Sequence, residues 1–178
     1  MESFDVLNEY GEFTGKIATR EECHKNGYWH RAVYAFIIDN NGNVLLQKRS
    51  ANKKLWPNMW DVTVGGHVDS GEFGRQALIR KTKEELGIKI SDEDIKYLVG
   101  STSINEQGDI INKHYNECYL ITKNIDVSNI VVQKEEVSEV KYFSREELIK
   151  RIDNNYEGLT EKIGPWNFLK KILEKYAI

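Results

Sequence analysis

The sequence predicts an α+β fold in which a mixed sheet is covered by helices on both faces. Two observations carry this. Short segments rich in β-branched and aromatic residues flank one central helix-forming run, and two further helical segments follow the last strand. At 178 residues the chain is one ordinary domain with short decorations, long enough for a real core.

Taken in order, Phe4 to Ala18 reads as two short strands around the turn Glu9-Tyr10-Gly11, and Arg20 to Lys25 as a brief polar turn or helix. His30 to Asp39 has the composition of a central strand, Asn40-Asn41-Gly42-Asn43 is a strong hairpin signal, and Val44 to Lys48 pairs back. A loop with Pro57 between Trp56 and Trp60 leads to a short strand, Asp61 to Val64, feeding a Gly65-Gly66 turn. Then comes the helix-forming run, with Ser70 as N-cap, Glu72 in the first turn and Gly87 as the left-handed stop. At about 100° per residue, Leu78, Ile79, Thr82 and Leu86 form its core stripe, while Arg80, Lys81, Glu84 and Glu85 occupy the other side with Ala77 among them. Tyr97 to Ser103 and His114 to Lys123 read as strands separated by a turn at Gln107-Gly108-Asp109, and Glu139 to Phe143 as the last strand. Ser144 caps a helix reaching about Ile152. A final helix starts at Gly164-Pro165 and lays Trp166, Leu169, Ile172, Leu173 and Tyr176 on one side.

Composition narrows the function. Net charge is −3 with no basic run, which argues against nucleic-acid binding. No stretch has the length of a transmembrane helix and MESFDVLNEY is no signal peptide, so a cytoplasmic protein without membrane association is expected. Cys23 and Cys118 lack CxxC spacing and read as reduced, packed thiols.

A helix ending in adjacent carboxylates and preceded by a glycine-rich loop suits a hard divalent cation, which prefers oxygen ligands and substrate phosphates. The segment GHVDSGEFGRQALIRKTKEELGI, residues 66–88, resembles the Nudix signature G-x5-E-x7-R-E-U-x-E-E-x-G-U, with U a bulky aliphatic. Gly66, Glu72, Arg80, Glu84, Glu85, Gly87 and Ile88 match; Lys81 stands in place of a glutamate and Thr82 in place of an aliphatic. Seven matches in nine positions arise by chance on the order of once per million starts. The resemblance implies an α/β/α sandwich in a single domain, 1-178: N-terminal strands to 28, a core over 29-152 and a C-terminal helix from 153.

The resemblance also implies a Mg²⁺- or Mn²⁺-dependent hydrolase of a diphosphate linkage in a small metabolite such as a nucleoside diphosphate derivative. Glu84 and Glu85 would bind the metal, with Glu72 in direct or indirect contact and the Gly66 carbonyl adding a ligand. Arg80 would orient Glu84 or the loop. Among Glu135, Glu136 and Glu139, which could also be an acidic strand edge, Glu136 and Glu139 are the favoured candidates for general base, while Lys81 and Lys48 are candidate substrate contacts. Trp56 and Trp60, with Tyr34 and Phe36, are candidates for an apolar or stacking wall, although core packing explains Tyr34 and Phe36 at least as well, since both point the same way on one strand. Lys81 changes the local charge by two units relative to a glutamate, so a degenerate domain that binds a diphosphate without cleaving it stays open. The oligomeric state is also open, with a homodimer among the candidates.

The segments VLNEYGEFTG, WHRAVYAFIIDNNGNVLLQKRS, KKLWPNMWD and GGHV are similar to the branch holding type I isopentenyl-diphosphate isomerases and related hydrolases. The isomerase cysteine maps to Gly65, which carries no proton, and its glutamate pair maps to His114 and Asn116 unless the register shifts to use Glu117. All four histidines, His24, His30, His67 and His114, fall at or beside positions resembling the isomerase's metal-binding region. They raise the reading of a second, transition-metal site, beside the alternative that His30 hydrogen-bonds at a strand start and His67 caps the loop.

Overall fold

The computed structural model describes residues 2–160 and 163–175. Its strands are β1 (Ser3–Leu7), β2 (Phe13–Thr19), β3 (Trp29–Ile38), β4 (Val44–Arg49), β5 (Trp60–Asp61), β6 (Val64–His67), β7 (Ile95–Gln107), β8 (Ile110–Thr122) and β9 (Val137–Phe143). Its α-helices are α1 (Arg20–Asn26), α2 (Gly74–Leu86), α3 (Arg145–Asp153) and α4 (Ile163–Lys175).

β3 organises the sheet. It pairs in parallel with β8 from Trp29↔Lys113 to Ile38↔Thr122, and antiparallel with β6, β4 and β1. Because side chains alternate along a strand, β3 supplies both cores. Val33, Ala35 and Ile37 pack with Leu78 and Leu86 of α2 on one face. Tyr34, Phe36 and Ile38 pack with Leu148 of α3 and with Trp166 and Leu169 of α4 on the other. Burying each valine, leucine, isoleucine or phenylalanine among them contributes about 1.5–3 kcal/mol. The predicted mixed sheet with helices on both faces is what forms, and no helix among the described residues is long and apolar enough to cross a membrane.

The N-terminal segment is more lightly attached. β1 meets β3 through the pair Leu7↔Trp29, and the segment has its own small cluster of Phe4, Val6, Ala18 and Cys23. Thr19 caps α1 in a capping box with Glu22, and Gly27 ends it at φ 62°.

Several predicted details are corrected. Ser70 does not cap α2: its hydroxyl donates to Asp5 at 2.6 Å, the cap position is Phe73, and Glu72 lies in the preceding loop rather than the first turn. The capping argument uses local residues and could not see Asp5, a strand of β1 away. Gly65 and Gly66 are not a turn but part of β6, paired with Tyr34 and Val33, and the strand expected from Asp61 to Val64 divides into β5 and β6. Ala77 and Glu85, placed on the outer side of α2, are buried. Of the two readings for Tyr34 and Phe36, the core one holds: they are 8% and 0% exposed. β7 and β8 continue almost to their turn, because each extends the other's ladder through Gln107↔Ile110. Tyr176 lies outside the described residues.

Candidate functional site

The loop before α2 is fastened from a distance. Asp5 accepts the Ser70 hydroxyl and the Gly71 N–H, and Arg31 donates to the Glu72 carbonyl at 2.7 Å. Glu72 is then gripped from α2. Arg80 Nε donates to its Oε1 at 3.0 Å and Nη2 to its Oε2 at 2.7 Å, a two-pronged carboxylate clamp. The same guanidinium reaches Asp69 at 3.2 Å and Glu84 at 3.4 Å. Burial would raise the Glu72 pKa, but the bonds from Arg80 and the Asp69 N–H outweigh it, so the net shift is downward. Arg80 thus spans the loop and the helix, consistent with an orienting role.

Glu85 differs from its neighbour. Glu84 is half-exposed between Arg80 and Lys81, whereas Glu85 is 5% exposed. Burial pushes the Glu85 carboxyl up to about 7; Lys81 opposes this, Glu136 adds to it, Lys53 opposes and Asp61 adds. The segment before β9 produces this burial, with the Gln133 N–H bonded to the Glu85 carbonyl at 2.9 Å and Val131 packed against Gly87. Glu136 arrives with that segment, ion-paired to Lys53. Glu139 lies further along β9, 3.9 Å from Lys48. Asp61 is buried and paired to Arg49 at 3.0 Å. Lys53 and Asp61 were missed in the sequence; their only signal was charge within a tryptophan-containing loop.

Lys81 lies 3.6 Å from Glu84 and 3.7 Å from Glu2. Its aliphatic stem runs over Gly66, where an added Cβ would sit 3.0 Å from Lys81 Cε. A glycine at 66 therefore lets α2 approach β6 closely. Trp60 is half-buried against Phe143, its ring 4.8 Å away, with Lys48 5.8 Å from the ring centre. Trp56 is half-buried in the loop with φ 46°. Trp60 packs against the core beneath α3 and α4, with Lys48 by its ring, while Trp56 lies in the loop that carries Lys53.

A divalent cation fits the carboxylate face on the chemistry of its donors. Glu84 and Glu85 are adjacent oxygen donors on α2, Lys81 of the same helix lies over Gly66, and the carboxylates acting on buried Glu85 call for positive charge. Glu72 has both oxygens committed to Arg80, which suits it to positioning the loop.

The four histidines converge on the opposite face. His24 comes from α1, His30 from β3, His67 from β6 and His114 from β8. Register brings them together: His30 faces His114 across the parallel pair, and His67 faces Ala32. One nitrogen from each lies within 4.8 Å of the others. Phe4 stacks on His30 at 5.0 Å and 7°, closing the cluster from the β1 side. His24 is pushed down to about 4, chiefly by burial and then by His30. His67 is also driven well below its ordinary value by burial and neighbouring histidines. His24 and His67 are therefore neutral near pH 7.

Glu117, which a one-residue shift was to recruit beside the histidines, points away from them. It opposes Val33, its carboxylate abuts Gly74 of α2, and it accepts the Tyr119 hydroxyl. A shift of one residue in a strand changes faces. With Gly65 opposite Tyr34, neither isomerase acid/base position carries a proton-transfer group in place.

Comparison with known proteins agrees with this geometry. The NUDIX domain model matches residues 28–163. The uncharacterized Nudix hydrolase lmo0368 of Listeria monocytogenes is 36% identical over 149 residues, covering 83% of each chain. Nudix hydrolase 3 of Arabidopsis thaliana is 37% identical over 151 residues, which cover 82% of this chain and 20% of that longer protein. Among solved structures, DR0079 from Deinococcus radiodurans superposes with a TM-score of 0.72 at 22% identity, covering 99% of this chain and 100% of that one. The chain belongs to the Nudix family, as a hydrolase of diphosphate linkages in small molecules.

Proposed function

We propose that the carboxylate face hydrolyses the diphosphate of a nucleoside diphosphate derivative or similar small metabolite, with Mg²⁺ or Mn²⁺ held by Glu84, Glu85 and the Gly66 carbonyl. The buried Glu85 carboxylate, set among Lys81, Glu136, Lys53 and Asp61, carries this reading. When bound, the ion neutralises phosphate charge and activates water. The chain's own residues do the rest. Arg80 holds Glu72 and the glycine loop at fixed distance from Glu84. Lys81 presents an ammonium beside Gly66, where a substrate phosphate would take it from Glu84 and Glu2. Glu136 is the general base favoured over Glu139, because it acts electrostatically on Glu85 while Glu139 is paired with Lys48. Its net pKa is lowered despite burial, since Lys53 bonds to it, so it stays ionised and accepts a proton once that contact loosens. Trp56, in the loop that carries Lys53, would receive the nonphosphate half of the substrate, while Trp60 packs toward α3 and α4.

The test is a screen of the purified protein with Mg²⁺ and Mn²⁺ against nucleoside di- and triphosphates, nucleotide sugars, dinucleotides and isopentenyl diphosphate, read by mass spectrometry. Cleavage at a diphosphate is expected. Double-bond migration without cleavage would overturn the reading in favour of an isomerase. Ligand-induced stabilisation without turnover would make the domain a binding module, with Lys81 as the cause.

A further inference from the structure

We propose that His24, His30, His67 and His114 bind one divalent transition metal, zinc by preference, in a closed four-imidazole site that fastens the N-terminal segment to the sheet. The site lies on the opposite face from the carboxylates and does not depend on the hydrolase reading.

The first support is a hydrogen-bond inconsistency that a metal removes. His30 Nδ1 lies 2.8 Å from the Tyr28 carbonyl, which can only accept, so the ring proton sits on Nδ1. His30 Nε2 is then a bare lone pair. It is buried, as is His24 Nε2, and neither has a hydrogen-bond partner among the described residues. A buried acceptor left unmade costs about 1–3 kcal/mol. Protonation is a poor remedy, because the cation would be buried against three other imidazoles. A backbone carbonyl fixing the tautomer while Nε2 points inward is the usual arrangement of a metal-ligating histidine.

The second support is the ligand set itself. The chain has four histidines and all four are in the cluster. Imidazole suits zinc, copper, iron and nickel, whereas Mg²⁺ prefers oxygen. Four nitrogens at about 2.0–2.1 Å complete a tetrahedron around zinc and leave no position for a reacting water. Present nitrogen separations reach up to 4.8 Å, so binding draws the rings inward. The role is therefore structural.

The third support is what the site joins. The N-terminal segment buries a small cluster of its own and shares one paired position between β1 and β3. Small modules with little core are commonly stapled by a metal. His24 on α1 carries that staple, while the other three ligands belong to the sheet.

The test uses the full chain, stripped with a chelator and titrated with Zn²⁺ and Co²⁺. Glu84→Gln/Glu85→Gln removes the carboxylate pair, and His24→Ala removes the ligand on the peripheral helix. One zinc per chain is expected in the glutamine variant and a large loss of affinity, at least tenfold, in His24→Ala. Co²⁺ is expected to give the intense visible bands of a tetrahedral site. Hydrogen exchange of residues 2–27 is expected to slow when zinc is added. X-ray absorption on the zinc-loaded wild type checks the ligands without any variant, with four nitrogen scatterers at about 2.0 Å expected. Zinc binding that vanishes in the glutamine variant, an octahedral oxygen-rich spectrum, or absence of zinc binding would each overturn the proposal.

Discussion

The two faces of this sheet hold their polar groups in opposite ways. On the α2 face most of the carboxylates around the signature helix are ion-paired: Glu72 and Glu84 with Arg80, Glu136 with Lys53, and Glu84 also with Lys81. On the other face four imidazoles crowd together beneath Phe4, and the buried Nε2 atoms of His24 and His30 have no hydrogen-bond partner among the described residues. The first arrangement is charge-dense and partly open, suited to an ion and substrate that exchange. The second is an all-imidazole cluster with His30 fully buried and the other three half-buried, suited to an ion that stays. Adjacent residues of β6 serve the two: Gly66 lies against Lys81, and His67 joins the other histidines.

Mutations can break this contrast. The largest expected effect is Glu85→Gln, which should lower Mg²⁺-dependent turnover at least 100-fold, on the scale of losing a preorganised electrostatic group. The fold should survive, since a neutral amide replaces a buried carboxylate; unchanged turnover would sink the proposed carboxylate site. Next, zinc at about 100 times its Kd should stabilise the wild type by about 2.7 kcal/mol. His67→Ala should abolish that increment, as read by thermal melts with and without chelator. An equal zinc response in the variant would place the metal elsewhere. Arg80→Lys should then cost about 1–2 kcal/mol of stability through loss of the paired bonds to Glu72, with kcat falling more than KM rises. Intact kcat would show that Glu72 needs no clamp. The smallest is Lys81→Glu, expected to tighten Mg²⁺ roughly tenfold, about 1.4 kcal/mol, by adding a carboxylate where an ammonium stands. Weaker binding in titration calorimetry would contradict the charge argument.

What the sequence disclosed followed the range of its signals. The α2 stripe of Leu78, Thr82 and Leu86, the Gly87 terminator and the Ser144 cap are set by neighbours within a turn or two, and they appear as read. Ser70 misled because its partner, Asp5, is distant in sequence. Glu85 looked solvent-facing on a helical wheel, but Gln133 and its neighbours, packed over the helix end, bury it. Lys53 and Asp61 carried no spacing that would single them out. The histidines give a third case. No periodicity links residues 24, 30, 67 and 114; resemblance to a known branch singled them out, and only the parallel register of β3 with β8 brings His30 opposite His114.

The pairing of Gly66 with Val33 and of His67 with Ala32 leaves β6 no freedom of length. Loops elsewhere can gain or lose residues with small penalty. One residue inserted or deleted between Val64 and His67, with its pairing otherwise kept, would exchange the faces of everything after it. The imidazole would swing toward the phosphate side and the gap beneath Lys81 would close with a side chain. Variation in this protein should therefore accumulate as substitutions along β6 and as changes of length outside it.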